Sequence, residues 1–207
     1  MPKNLKVLKI FLIFLIPFIS INAQDTLFRS SKYAFRIKFP AFWEIKKGDG
    51  ESIIIKATKD KESIIIGVKD LLSDKLLNAA KKENPILNNY TRDEIRKELK
   101  LDYTQDELLD LVNNMSMDTA NVDNYKVEET GLSKLDNRDC ATFIWTGTYS
   151  TLNVTFNYKQ ANFIIAHNCF LYILTGGSTS DKFEDFYSNK LLPCLRTFVF
   201  ETWKENK

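Results

Sequence analysis

The sequence has few of the residues that usually build catalytic and metal-binding sites. His167 is its only histidine, and its three cysteines, Cys140, Cys169 and Cys194, show no Cys-x-x-Cys spacing. A zinc site needs three or four ligands at defined spacings, and a Ser-His-Asp or Cys-His mechanism would have a single possible base. The sequence therefore indicates no metal, no cofactor and no catalytic residue.

Glycine and proline are also scarce, with seven and five residues in a chain of 207. This composition, with 44% hydrophobic and 13% aromatic residues, is typical of a packed domain and excludes a low-complexity chain. No apolar run after the N-terminus approaches the roughly 20 residues that a spanning helix needs. We therefore expect no transmembrane segment in the mature protein.

The N-terminus has the three parts of an export signal in the required order. Lys3, Lys6 and Lys9 form a positively charged region, the apolar run Ile10–Ile19 follows, and Ala23 supplies the small residue of a cleavage site. The apolar run is too short to span a membrane. This pattern predicts a signal peptide that is removed during export.

Cleavage after residues 1–23 changes both the location and the charge of the protein. We expect Gln24 to be the first mature residue and residues 24–207 to form a single domain, periplasmic or extracellular. Loss of the three lysines leaves 26 basic residues against 27 acidic ones, so the net charge falls from +2 to −1. Overall charge therefore gives no reason to expect a nucleic-acid partner.

The first part of the mature sequence predicts strands. From Ala34 to Phe39 apolar and charged residues alternate, which is the pattern of a half-buried strand, and Pro40 ends it. Ser52–Thr58 and Ser63–Lys69 are rich in β-branched residues and are joined by a short charged segment. Together they predict a β-hairpin.

The middle of the chain, residues 73–117, predicts helices. Thr91 with Glu94, and Thr104 with Glu107, have the spacing of a capping box, in which two side chains satisfy the first free amides of a helix. Each pair therefore predicts a helix start.

The last part of the chain predicts an antiparallel meander, a helix and a closing strand. Turns are expected at Asp136-Asn137 and His167-Asn168, because asparagine and aspartate tolerate positive φ. The predicted elements are strands at Tyr125–Lys134, Cys140–Tyr149, Leu152–Ala166 and Phe170–Thr175, a helix at Asp181–Leu192 and a strand at Arg196–Glu201.

These elements together predict an α+β fold, and their order resembles the PsbP-like α-β-α sandwich group. The segment Tyr33–Pro40 followed by Trp43, the Ile-rich hairpin, the long meander and the closing segment Leu195–Phe200 after a helix carry the resemblance. It covers nearly the whole mature chain and implies a twisted, mainly antiparallel sheet with helices on both faces. It implies no activity and supplies no ligand residues, because a fold alone does not assign a function.

The segment Thr175-Gly176-Gly177-Ser178 precedes the predicted last helix, whose start has the partial positive charge that attracts anions. It lacks the lysine and the spacing of a phosphate-binding loop. We interpret it as a strand-to-helix connection in which glycine supplies backbone freedom.

The other polar candidates are predicted to be exposed rather than catalytic. His167 belongs to a predicted hairpin turn two residues from Cys169, where a Cys-His pair would lack an enclosed site. The adjacent carboxylates Asp106-Glu107 and Glu128-Glu129 do not face each other on a helix or a strand. We interpret them as cap and surface charges.

Six aromatic residues are candidates for a binding surface, and core packing is the alternative interpretation that we favour. A row of exposed rings on a sheet face would bind a sugar, a peptide or a partner protein. The six residues are Phe42, Trp43, Trp145, Tyr149, Phe156 and Tyr158.

An odd number of cysteines allows at most one intramolecular disulfide. The expected topology brings Cys169 and Cys194 to the same end of the sheet and separates Cys140 from Cys169 by about two strand spacings, roughly 10 Å. We expect that, if a bond forms, it joins Cys169 to Cys194 and leaves Cys140 as a small buried residue. Three reduced, buried thiols are the alternative.

Two functions remain open at this point. The first is an exported, non-enzymatic interaction or accessory domain whose partner is a protein or another envelope component. The second is a secreted hydrolase whose carboxylates and hydroxyls meet only in the folded protein. A hydrolase requires a deep pocket with at least two mutually bonded titratable groups, so the structure distinguishes the two.

We predict that the protein accumulates outside the cytoplasm with Gln24 at its N-terminus, since the three parts of the signal occur in the required order. N-terminal sequencing of the protein purified from its native host measures this directly. An intact Met1 terminus recovered from the membrane fraction would show that the segment is an uncleaved anchor.

Overall fold

The computed structural model describes residues 24–48, 53–99, 101, 103–114, 122–150 and 154–202. The predicted signal peptide, residues 1–23, lies outside the described residues, so its cleavage stays a prediction. The end of the predicted helical region, residues 115–117, also lies outside them. None of the helices in the described ranges is long and apolar enough to cross a membrane.

The N-terminal strands follow the predicted alternation. In the second strand, Phe35, Ile37 and Phe39 are fully buried while Arg36 and Lys38 are exposed, so one face packs on the core. The predicted hairpin is confirmed, and two short strands that the pattern did not predict are present. The strands are β1 (Thr26–Ser30), β2 (Phe35–Phe39), β3 (Glu44–Lys47), β4 (Ile53–Lys59) and β5 (Glu62–Asp70).

The middle of the chain is helical, and both predicted capping boxes are present. The Glu94 carboxylate accepts a hydrogen bond from the Thr91 amide at 2.6 Å, and the Thr91 hydroxyl accepts one from the Glu94 amide at 3.3 Å. Thr104 and Glu107 repeat this arrangement at 2.7 and 3.3 Å. The helices are α1 (Asp74–Glu83), a 3₁₀ turn (Pro85–Asn89), α2 (Arg92–Leu99) and α3 (Gln105–Asn114).

The predicted meander is confirmed with one shifted turn, while residues 152 and 153 of its third predicted strand lie outside the described residues. His167 pairs with Phe170, so the last turn consists of Asn168 and Cys169 rather than His167 and Asn168. Both turn residues have positive φ, as do Asp136 and Asn137, which is the geometry of a two-residue type I′ hairpin. The strands are β6 (Val122–Leu135), β7 (Arg138–Ser150), β8 (Thr155–His167) and β9 (Phe170–Thr179).

The C-terminal helix has three consecutive segments. It runs through α4 (Phe183–Phe186), a π-helical turn (Tyr187–Leu191) and α5 (Leu192–Leu195). The predicted strand Arg196–Glu201 is shorter than expected, because the Arg196 amide still donates to the Leu192 carbonyl at the helix end. Only β10 (Val199–Phe200) remains extended, and it pairs with β2.

The strands form two antiparallel sheets. The large sheet has the order β3-β4-β5-β9-β8-β7-β6, and the small one has the order β1-β2-β10. The hairpin β4–β5 joins the meander through β9, with Ser63 opposite Gly177 and Asp70 opposite Phe170. Two segments at least 100 residues apart in the sequence are therefore neighbours at the centre of the sheet.

The two faces of the large sheet bury different sets of side chains. Ala161, Phe163 and Ile165 of β8 pack in the main core with β2 and the C-terminal helix. Their neighbours on β8, such as Ile164 and Ala166, face the other way and pack in a second cluster with α3. The helices therefore flank both faces, and the α+β sandwich architecture is confirmed.

Trp43 is part of the main core. Its side chain is buried, and its ring stacks on that of Phe186 in the C-terminal helix, with 6.3 Å between the ring centroids. This contact attaches the start of β3 to the helix that covers the sheet.

We predict that Trp43→Ala lowers the free energy of unfolding by about 3 to 5 kcal/mol, because it removes a large buried aromatic side chain. Urea unfolding followed by circular dichroism measures the change. Phe42→Ala is the matched control, since the neighbouring ring is exposed and its removal costs little. An unchanged urea midpoint for Trp43→Ala would contradict the core assignment.

Candidate functional site

An open groove lies at one end of the large sheet. It has a volume of about 910 Å³ and lies where the turn between β4 and β5 meets the end of β9 and the start of β8. We call it the hairpin-end groove. It is lined by Asp60, Lys61, Glu62, Phe156, Asn157, Ser178, Thr179, Ser180, Asp181 and Lys182.

Strand register brings the walls of the groove together. Because Ser63 lies opposite Gly177, the turn before β5 lies beside the segment that leaves β9. On the other side, the Ser180 amide donates to the Asn157 carbonyl at 3.0 Å, which attaches that segment to β8. Neither contact is signalled by local sequence, so these loops were not predicted as a site.

One wall of the groove is aromatic. The Phe156 ring is half-buried, stacks on Tyr149 at 5.9 Å and meets the edge of Tyr158 at 6.2 Å. The Lys61 ammonium lies 5.0 Å from the centre of the Phe156 ring, which is within the range of a cation–π interaction. Tyr158 itself is buried, its hydroxyl lies 3.0 Å from that of Ser63, and burial raises its pKa to about 12.

The paired glycines beside the groove have a packing role rather than the predicted one. Both lie inside β9, and neither has positive φ, so the prediction of a strand-to-helix connection was wrong. A Cβ atom on Gly176 would lie 2.4 Å from the Leu191 side chain, and one on Gly177 would lie 2.3 Å from the Tyr158 hydroxyl. Glycine therefore lets a large side chain rest on each face of the same strand.

The charges around the groove are largely paired. Glu62 accepts a hydrogen bond from Lys190 of the C-terminal helix at 2.5 Å. A hydrogen bond from the Thr179 side chain lowers the pKa of Asp181, which keeps this carboxyl group ionised. Next to the groove, Lys159 bridges Glu128 at 3.0 Å and Glu184 at 3.2 Å. Glu62, Glu128 and Glu184 therefore join neighbouring elements of the fold.

The histidine does not form a catalytic pair with its neighbouring cysteine. His167 is half-buried rather than exposed, and its ring packs against Phe200 with 4.4 Å between the ring centroids. The Cys169 thiol is fully buried and donates to the Arg96 carbonyl at 3.7 Å. Each side chain therefore has a packing partner of its own.

The cysteines are reduced and lie in two separate clusters. Cys140 and Cys194 belong to the main core, whereas Cys169 packs with Leu72 and Ile95 beneath the helices. Burial raises the pKa of the Cys140 thiol to about 11 and that of Cys194 to about 12. The Cys169–Cys194 disulfide stays a prediction, and the raised pKa makes the Cys140 and Cys194 thiols poor nucleophiles near neutral pH.

We predict that peptide mapping of the exported protein without reduction yields three alkylatable thiols after denaturation. In the native protein at about pH 8, iodoacetamide labels them slowly because each of the three thiols is buried and the reagent does not reach it. Recovery of a Cys169–Cys194 disulfide peptide would contradict this result and establish the pairing.

The adjacent carboxylates behave as cap and surface charges. Glu107 caps α3, as described above, and Glu128 pairs with Lys159 and accepts the Thr146 hydroxyl at 3.4 Å. In the residues that the structure describes, no group of three or more histidine, cysteine, aspartate or glutamate side chains could hold a metal ion.

A buried arginine forms an ion network that the sequence did not indicate. Arg96 of α2 is 6% exposed, pairs with Asp70 of β5 and with Asp93 at 2.6 Å, and lies 4.7 Å from the ring of Phe170. Arg92 adds a bond to Asp74 at 2.9 Å. Since each of these carboxylates has a cationic partner, the network joins the helices to the sheet and we interpret it as structural.

The six aromatic candidates divide into three groups. Trp43, Trp145 and Tyr158 are buried, which confirms core packing for them, and Tyr149 and Phe156 are half-buried beside the groove. Phe42 is 74% exposed, so core packing is wrong for this residue.

Comparison with known proteins identifies the fold and no closer relationship. No family model and no curated protein matches the chain. The solution structure of the cyanobacterial PsbP protein CyanoP from Synechocystis aligns with 86% of this chain and 93% of its own, with a TM-score of 0.50 and 12% identity. The chain therefore has the PsbP-like fold.

Two further solved structures are similar at lower scores. LpqN of Mycobacterium tuberculosis, described as involved in cell envelope biogenesis, is 12% identical over 86% of this chain and 91% of its own, with a TM-score of 0.44. A protein from Bacteroides thetaiotaomicron is 12% identical over 89% of this chain and 50% of its own, with a TM-score of 0.47.

Proposed function

We propose that this PsbP-like chain is an exported, non-catalytic accessory domain that binds a protein or another envelope component in the hairpin-end groove. The observation that carries the proposal is the groove itself, a cavity of about 910 Å³ with a half-buried aromatic wall at the loop end of a rigid sheet. Binding residues are often found on loops that a rigid scaffold positions.

The chemistry of the groove supports binding over hydrolysis. The groove is open rather than deep, and Lys190, the partner of Glu62, belongs to the C-terminal helix and is not among the residues that line it. Asp181 is bonded to Thr179, which does not titrate. A hydrolase requires two titratable groups that act on one another. Phe156, by contrast, contributes a half-buried aromatic ring to the groove, and aromatic rings commonly anchor ligands and partners.

The charge of the groove favours a polar partner without strong net charge. Its lining contains the acids Asp60, Glu62 and Asp181 and the bases Lys61 and Lys182. Since Lys190 compensates Glu62, the remaining charges nearly balance. Such a surface distinguishes between partners by the positions of its charges rather than by a net electrostatic attraction.

We predict that reversing two groove charges abolishes binding. The immobilised mature protein is used to capture components of its own envelope fraction, and the double variant Lys61→Glu with Lys182→Glu is compared with the wild type. Both lysines are exposed, so the fold is retained. We expect at least a tenfold loss of a component that the wild type captures, because like-charge contacts replace complementary ones.

The matched control is Lys75→Glu with Lys82→Glu, which makes the same change of net charge on the exposed side of α1. We expect this control to capture the component as the wild type does. Equal losses in both variants would mean that only net charge matters, and equal capture by all three proteins would exclude the groove as the binding surface.

A further inference from the structure

The turn between β2 and β3 displays an aromatic ring in an unfavourable backbone conformation. Phe42 has a φ of 63°, in the left-handed region, and its side chain is 74% exposed. It has the largest exposed fraction of the large apolar side chains in the described ranges. Left-handed backbone is costly for a bulky residue because of the contact between its Cβ and its own carbonyl group.

The other left-handed residues show how unusual this choice is. Among the described residues outside glycine, every other residue with positive φ is alanine, cysteine, asparagine or aspartate. Asparagine and aspartate tolerate this region because their side chains bond locally to the backbone. Phenylalanine at this position is therefore unfavourable for folding in two ways, because its backbone is strained and most of its apolar side chain is exposed to water.

The neighbouring residue holds the ring in place. Trp43 is buried against Phe186, so the chain is anchored immediately after Phe42 and the turn cannot swing inward. One ring thus points into the core and the next points into solvent. Strain of this kind persists when the surrounding structure enforces it, and it is common at functional positions.

Register places Phe42 at the same end of the sheet as the groove. Phe42 precedes Glu44 by two residues, Glu44 lies opposite Thr58, and Thr58 precedes Asp60 of the groove by two residues. Because β3 is the first strand in the order of the large sheet, its outer edge pairs with no other strand among the residues that the structure describes. The exposed ring, the open edge and the groove form one continuous end of the molecule.

We infer that Phe42 is a recognition residue that inserts into an apolar pocket of a protein partner bound at this end of the sheet. The inference rests on the proposed function and names the anchor of that interface. A polypeptide can both enclose the ring and pair with the edge of β3, whereas lipid tails cannot satisfy backbone groups.

The first test separates recognition from folding. Phe42→Asn replaces the ring with a residue that accepts left-handed backbone, so we expect Tm to rise by about 2 °C. Phe42→Tyr keeps the ring and is expected to leave Tm unchanged. A fall in Tm for Phe42→Asn would show that the ring contributes to folding, and it would overturn the inference.

The second test measures recognition by capture from the same envelope fraction. We expect Phe42→Asn to capture at least tenfold less of the component whose capture depends on the groove. Phe42→Tyr is expected to capture as much of it as the wild type does. Ile86→Asn is the matched control, since Ile86 is 63% exposed on the 3₁₀ turn and its backbone φ is not positive. It is expected to bind as the wild type does.

The outcomes distinguish this inference from the proposed function. If the groove variant loses the component and Phe42→Asn retains it, the groove is the interface and Phe42 is not its anchor. If the wild type and the groove variant capture the same components, the proposed function fails and the inference fails with it. Co-sedimentation of the wild type, but not Phe42→Asn, with phosphatidylethanolamine–phosphatidylglycerol vesicles would replace the protein partner with a membrane surface.

Discussion

The pairing of β5 with β9 is the interaction on which the rest of the structure depends. It joins the N-terminal hairpin to the meander and makes one sheet of seven strands. Two glycines of β9 lack the side chains that would block packing on this strand. The Leu191 side chain packs against Gly176 on one face, and the Tyr158 side chain packs against Gly177 on the other. The C-terminal helix and the aromatic wall of the groove are therefore positioned by the same two residues.

Stability and recognition are assigned to different residues in this arrangement. The core is formed by closely packed aromatic and branched side chains, and its thiols and its buried arginine have structural partners. The groove and the turn at Phe42 lie at one end, where loops carry the polar groups and where strain can be stored without loss of the core. Loops on a rigid sheet tolerate substitution while the sheet is retained, which suits the binding role that we propose.

The similarity to CyanoP identifies a fold, and function has to be argued from the surface. On that surface the ionisable groups are mostly held by partners: Lys190 holds Glu62, Lys159 holds Glu128, and Thr179 keeps Asp181 ionised. These pairs organise the end of the sheet and leave Phe42 and Phe156 as its apolar features. Aromatic residues among balanced charges are common in the interfaces of domains that bind other proteins, which supports the binding role that we propose.

The sequence by itself determined the features that depend only on residues close together in the chain. The alternation at Phe35, Ile37 and Phe39 and the capping box of Thr91 with Glu94 are local patterns, and the structure contains both. The short strands β1 and β3 were missed because few of their residues alternate in a recognisable way. Only the tertiary structure decided that β5 pairs with β9, and with it the groove and the packing role of the two glycines. Such a pairing depends on how well two segments far apart in the sequence fit each other, so no local sequence pattern predicts it. The same reason applies to Phe42, whose exposure depends on Trp43 being held by a helix that lies far along the chain.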